Sequence, residues 1–152
     1  MKLDTALRPA IDDDLAAIER LLIAADLPVE GVAAALSQFV VAEDGAGIAG
    51  AAGLELHGEY ALLRSVVVAP EARGRGLARA MVGRLLESAA VRGAGVYLLT
   101  TTADRYFAKL GFAAVDRAAV PAEIRASPEF ASICPDDATV MYRDTAPEGA
   151  PR

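Results

Sequence analysis

Fifteen residues, Val66 to Ala80, constrain the fold more than any others: VVVAPEARGRGLARA. Three β-branched residues read as a strand, which Ala-Pro ends. Two arginines follow, each with a glycine after it, and residues 76–92 then read as a helix. Leu77, Ala80, Met81, Leu85, Leu86 and Ala89 form its apolar stripe, and Gly93 and Gly95 close it. A strand that passes through a glycine-rich bend into a helix belongs to an α/β layering. The helix start offers unpaired N–H groups and partial positive charge. Gly74 and Gly76 let the backbone come close, while Arg73 and Arg75 add charge-assisted donors. Together these features point to a bound anion, a pyrophosphate foremost.

Two common phosphate-binding patterns do not occur. There is no Gly-x-x-x-x-Gly-Lys-Ser/Thr string, and Gly-x-Gly-x-x-Gly/Ala read from Gly74 meets Arg79 at its sixth place. The formal net charge of −6 argues against general nucleic-acid binding, which needs a basic surface. Arg73, Arg75, Arg79 and Arg84 nevertheless cluster, with Glu71 the nearby acid. Such a cluster suits a small polyanion, and it equally describes a solvated helix face. A single cysteine, Cys134, and a single histidine, His57, exclude an internal disulfide, a cysteine cage and a histidine-built zinc site, so no metal is expected. No apolar run reaches membrane-spanning length and the N-terminus lacks a secretory apolar core, so a cytoplasmic protein without a membrane partner is expected.

The remaining pattern predicts a single domain over residues 1–143 and a disordered tail over 144–152. Strands are expected at 2–9, 39–42, 48–56, 61–69, 96–101, 112–115 and 139–142. Helices are expected after Asp12 or Asp13, at 31–37, at 76–92 and at 104–110. Asp44-Gly45 and His57-Gly58-Glu59-Tyr60 mark the turns of a meander. Residues 120–137 read as loop with one or two helical turns. The result is an α/β chain with a mixed sheet and helices on both faces.

The stretch from Val66 to Ala78 resembles the acetyl-CoA motif of the GNAT N-acetyltransferases, Gln/Arg-x-x-Gly-x-Gly/Ala. Leu110-Gly111-Phe112, after a short helix, resembles their second landmark. In element order the resemblance covers residues 2–143. The strings GLEL, LLRSVVVAPEARGRGLARA, YLLTTT, FAKLGF and EIRASPEFASICP are similar to arsenic-resistance-associated GNAT proteins, relatives of amino-acid N-acetyltransferases of the acetylglutamate-synthase type.

The resemblance implies an acyl-CoA N-acyltransferase fold with a central, mostly antiparallel sheet. It implies acetyl-CoA as cosubstrate, a small-molecule amine as acceptor, and an assembly in which a homodimer has precedent. Backbone groups of Val66, Val67 and Val68 would pair with the pantetheine arm. The N–H groups of Gly74, Arg75, Gly76, Leu77, Ala78 and Arg79, with Arg73 at the rim, would hold the pyrophosphate. A neutral amine would then attack the thioester, which needs a base, an oxyanion donor and a proton for the thiolate. The backbone N–H of Val66 is the implied oxyanion donor. Many family members place the thiolate's acid, a tyrosine, where this chain has Phe107; Tyr106 lies one residue earlier and about 100° away on a helix. Thr101, Thr102 or water are the substitutes. The acceptor expected is an amino acid or toxic analogue, arsenic-containing ones included. A protein N-terminus and a non-catalytic acetyl-CoA sensor are the alternatives.

Glu55 is the candidate general base. An even-numbered turn puts Glu55 and Arg64 on one sheet face together with Val66. Arg64, in a central strand, needs a partner, and its planar fork suits a substrate carboxylate. A salt bridge between Glu55 and Arg64 on a solvated face is the competing account. Cys134 reads as a small packed residue, and His57 as a turn residue.

Overall fold

The computed structural model describes residues 5–132 and 138–145. The strands are β1 (Ala6–Pro9), β2 (Phe39–Asp44), β3 (Gly47–His57), β4 (Tyr60–Val68), β5 (Gly95–Thr100), β6 (Ala113–Ala114) and β7 (Thr139–Arg143). The helices are α1 (Leu15–Ala24), α2 (Val32–Ala35), α3 (Leu77–Val91), α4 (Asp104–Lys109), α5 (Ala122–Arg125) and α6 (Pro128–Ser132). Strand order is β1-β2-β3-β4-β5-β7-β6. β4 runs parallel to β5. The pairs β1–β2, β2–β3, β5–β7 and β6–β7 are antiparallel, which makes the sheet mixed and mostly antiparallel as expected.

The chain divides into two compact units, Met1–Leu54 with Ser65–Leu85, and Glu55–Arg64 with Leu86–Arg152. In the first, Ile18 and Leu22 of α1 and Val32 of α2 pack on Phe39, Val41, Ala51 and Val67. The carboxylate that organises the start of α1 is Asp14 rather than Asp12 or Asp13. Its Oδ2 accepts the Ile11 amide at 2.8 Å, and both oxygens take the Arg8 fork at 2.8 and 3.0 Å. Arg8 also reaches Glu43 on β2. The Arg8 hydrogen bonds, against the opposing effect of burial and helped by the Ile11 amide, hold the Asp14 carboxyl below its usual range. Across β2–β3, Phe39 stands opposite Gly53, and a Cβ there would lie 2.2 Å from the ring. The missing side chain is therefore the space that the buried ring fills.

In the second unit, Leu62, Tyr97, Leu99, Ile124, Phe130 and Val140 form a buried cluster. Tyr97 packs against Tyr60 and Tyr142, with ring centroids 5.5 and 4.6 Å away. Three expectations change. Ala80, expected on the apolar stripe of α3, is exposed, while Val82 is buried beside Met81; the buried face is wider than a single stripe. The strand expected at 112–115 is only Ala113–Ala114, because Phe112 instead packs on Phe107. Thr145, placed in the expected tail, is buried and donates through its hydroxyl to the Ala94 carbonyl.

Gly53→Ala is expected to destabilise by roughly 1–3 kcal/mol, since the added methyl must displace Phe39; urea unfolding measures this, and an unchanged midpoint contradicts the packing. Asp14 stabilises above the unfolded carboxylate range, and that contribution disappears as pH falls through its depressed folded value. Asp14→Asn should therefore flatten the acid side of the stability–pH curve as well as lowering its neutral plateau.

Candidate active site

The Arg-Gly-Arg-Gly bend lies in the first unit. A 3-10 turn at Pro70–Ala72 follows β4, and Arg73 returns to extended backbone. Gly74 and Gly76 both take left-handed conformations, φ 83° and 76°, and open space surrounds each where a side chain would stand. Ala80 N donates to Gly76 O at 3.0 Å, so Gly76 caps α3. The amides of Leu77, Ala78 and Arg79 thus precede the helix's first internal bond. Arg73, Arg75 and Arg79 are exposed around them. The Arg73 side chain donates to Val68 O at 3.3 Å and so folds back over the end of β4.

β4 itself is bent. Its parallel ladder with β5 runs from Tyr60 to Leu62. Ser65, buried, takes a left-handed φ of 60°, rare for a residue with a side chain. Val66, Val67 and Val68 follow that bend; Val67 is buried and its neighbours are half-buried. No turn residue marks Ser65 in the sequence, so its conformation had no local signal.

The second unit contains a buried polar cluster. Arg64 Nη1 donates to Glu55 Oε2 at 2.6 Å, and Nη2 lies 3.4 Å from Glu129 Oε1. Glu55 Oε1 also accepts from the Ser127 hydroxyl at 2.6 Å and pairs with His57 Nε2 at 2.9 Å. An ionised carboxylate only accepts, so His57 presents an Nε2–H to it. The Arg64 side chain is 0% exposed, that of Glu55 9% and that of His57 23%. Burial opposes ionisation of Glu55, but the Ser127, His57 and Arg64 hydrogen bonds outweigh it and hold the carboxyl below its usual range.

Glu55 and Arg64 therefore share a face, and the salt bridge between them forms, but in the interior rather than on a solvated surface. His57 is more than a turn residue, since it ends β3 on Glu55. Ser127 and Glu129 were not anticipated. The string Ser127-Pro128-Glu129 does signal a helix start, and the Ser127 hydroxyl accepts from Glu129 N at 3.1 Å. What it faces, 72 residues away in sequence, is a tertiary fact.

At the end of β5, Thr100 accepts from Ala103 N at 2.9 Å and turns the chain toward α4, while Thr101 and Thr102 are exposed. Phe107 is buried edge-on to Phe112, and Tyr106 is 38% exposed. Among the described residues no acid, histidine or cysteine cluster could hold a metal, and no helix is long and apolar enough to cross a membrane. Cys134 lies outside the described residues.

A family model described as an acetyltransferase (GNAT) domain matches residues 35–114, more than half of the chain. No curated protein matches it by sequence. N-acetylglutamate synthase from Neisseria gonorrhoeae, complexed with coenzyme A and N-acetyl-glutamate, superposes with a TM-score of 0.82 at 18% identity. That match covers 97% of this chain but 36% of the synthase, so the chain spans little more than a third of that protein. Rv2747 from Mycobacterium tuberculosis, in complex with CoA and NLQ, gives 0.77 at 24% identity, covering 91% of this chain and 98% of its own. The ribosomal-protein-S18-alanine N-acetyltransferase from Escherichia coli gives 0.65 at 15%, covering 98% and 100%. At these identities the structural likenesses establish the fold, and the matched domain establishes the family: this chain belongs to the GNAT acetyltransferases.

Proposed function

We propose that this GNAT chain transfers acetyl from acetyl-CoA to the amine of a small molecule, an amino acid or a toxic amino-acid analogue, with arsenic-containing analogues in that class. One observation carries the reading: a buried carboxylate, Glu55, is kept ionised on a guanidinium inside a GNAT domain. The cluster holds two carboxylates, Glu55 and Glu129, against one guanidinium. That anionic excess favours an acceptor arriving as an ammonium. Glu55 then takes its proton, directly or through water, and frees the nitrogen lone pair for attack.

In this reading the amides of residues 74–79 (Gly74, Arg75, Gly76, Leu77, Ala78 and Arg79) hold the pyrophosphate, with Arg73 at the rim. Val66, Val67 and Val68 pair with the pantetheine arm, and the Val66 N–H faces the thioester oxygen. Arg64 takes an acceptor carboxylate only by exchanging one of its glutamates, and its 3.4 Å contact with Glu129 is the looser of the two. Thr101 and Thr102 are the exposed hydroxyls assigned to acceptor contact and to the thiolate's proton. Phe107 in the usual tyrosine position weighs against the protein N-terminus as acceptor. The three donors on Glu55 weaken it as a base, and this favours a second reading, an acetyl-CoA sensor without turnover.

A panel of amino acids and their phosphinic and arsonic analogues, with thiol release as the readout, separates the two. Turnover with carboxylate-bearing amines supports the enzyme, and coenzyme A binding without any turnover supports the sensor. Glu55→Gln should lower kcat by about 10²-fold or more while leaving acetyl-CoA affinity intact, and Arg64→Lys should raise the acceptor's KM. Gly76→Ala forces a side chain into left-handed backbone, a strain of about 1–2 kcal/mol. Coenzyme A affinity by calorimetry should fall about tenfold or more; undiminished affinity counts against pyrophosphate capture at this bend.

A further inference from the structure

We infer that Ser127 is a positioning residue for Glu55: its hydroxyl occupies Oε1 and leaves Oε2 as the oxygen that receives the acceptor's proton. The inference rests on Glu55 being the base. The hydroxyl's direction follows from its neighbours. Glu129 N can only donate, and it donates to Ser127 Oγ at 3.1 Å. The serine's own hydrogen therefore turns to Glu55 Oε1, 2.6 Å away.

A carboxylate oxygen has two in-plane lone-pair directions. On Oε1, Ser127 and His57 Nε2–H take both. On Oε2, Arg64 takes one at 2.6 Å. The remaining direction on Oε2 is where an N–H of the acceptor can place its proton. That N–H bond breaks, an O–H bond forms at Oε2, and the electron pair stays on nitrogen for attack on the thioester.

Ser127 is also the residue that caps α6, so one side chain fixes both the carboxylate and the helix start that brings Glu129 to Arg64. The titratable groups paired with Glu55 are His57 on its own strand and Arg64 on β4, and Glu129 on α6 faces Arg64 in turn. Glu123 on α5 lies near the turn at Gly58, its Oε2 3.6 Å from where a Cβ there would stand. Ser127 is 1% exposed. Water does not readily replace its hydroxyl at that depth, and its loss leaves Glu55 with one donor fewer in the interior.

The test compares the wild type, Ser127→Ala and Ser127→Thr by two readouts. One is the ¹³C titration of the Glu55 side-chain carboxyl in the intact chain. The other is the pH profile of kcat with the best acceptor from the panel. In Ser127→Ala both the titration and the acid limb should move upward by about one pH unit, the loss of one charge-assisted hydrogen bond. KM for acetyl-CoA should stay put, and Ser127→Thr, which keeps the hydroxyl, should restore the wild-type profile. Should the alanine variant fail to fold, Ser127→Cys, a weaker donor of similar volume, must shift both readouts in the same direction. An unmoved Glu55 titration in the alanine or cysteine variant overturns this inference alone. Wild-type turnover from Glu55→Gln overturns the base assignment and this role with it.

Discussion

A guanidinium without exposed surface has to be neutralised where it lies, and Arg64 sets that demand on its surroundings. Glu55 meets it from the end of β3 and Glu129 from the start of α6. Glu55 in turn takes two more partners, the His57 ring and the Ser127 hydroxyl, and Ser127 also accepts the Glu129 backbone amide. Each polar group answers another, so the cluster stands or falls as a unit. Removing Arg64 outright would leave two carboxylates in the interior, and for that reason its chemical role is better probed by lysine than by alanine. The same arrangement makes Glu55 a carboxylate held ionised in a nearly dry setting, the property that the proposed base role requires.

The bend after β4 works on the opposite principle. Its donors are backbone amides and exposed arginines, and its shape comes from two left-handed glycines rather than from burial. On a chain of net charge −6, this small basic patch is a local feature that suits a compact polyanion better than a nucleic-acid polymer. Its electrostatic part is screened by salt, whereas the amide donors of the α3 start are not lost. Val66 to Val68 lie on β4 just past the bend at Ser65.

Local features were legible in the sequence. The strand, the Arg-Gly-Arg-Gly bend and the long helix follow from neighbouring residues, because left-handed glycines, helix periodicity and β-branched runs act within a few positions. The common face of Glu55 and Arg64 followed from the two-residue turn between His57 and Tyr60. What escaped is tertiary. Ser65 bends its strand without a glycine or asparagine to mark it. Asp14, not its two acidic neighbours, receives Arg8 because of where β1 runs. His57 reads as a turn residue and Ser127 falls in a stretch read as loop with one or two helical turns; only the packing of α6 against the end of β3 turns them toward Glu55. Ala80 faces outward for a related reason: helix periodicity names a face but not its width.

The measurement that bears most directly on this account is a crystal structure with coenzyme A and the acceptor from the panel bound together. It should place the diphosphate on the amides of residues 74–79 and the acceptor nitrogen within hydrogen-bond reach of Glu55 Oε2, directly or through one water. An acceptor nitrogen held by other groups, with Glu55 still enclosed by Arg64, His57 and Ser127, would contradict it and leave the cluster a purely structural element.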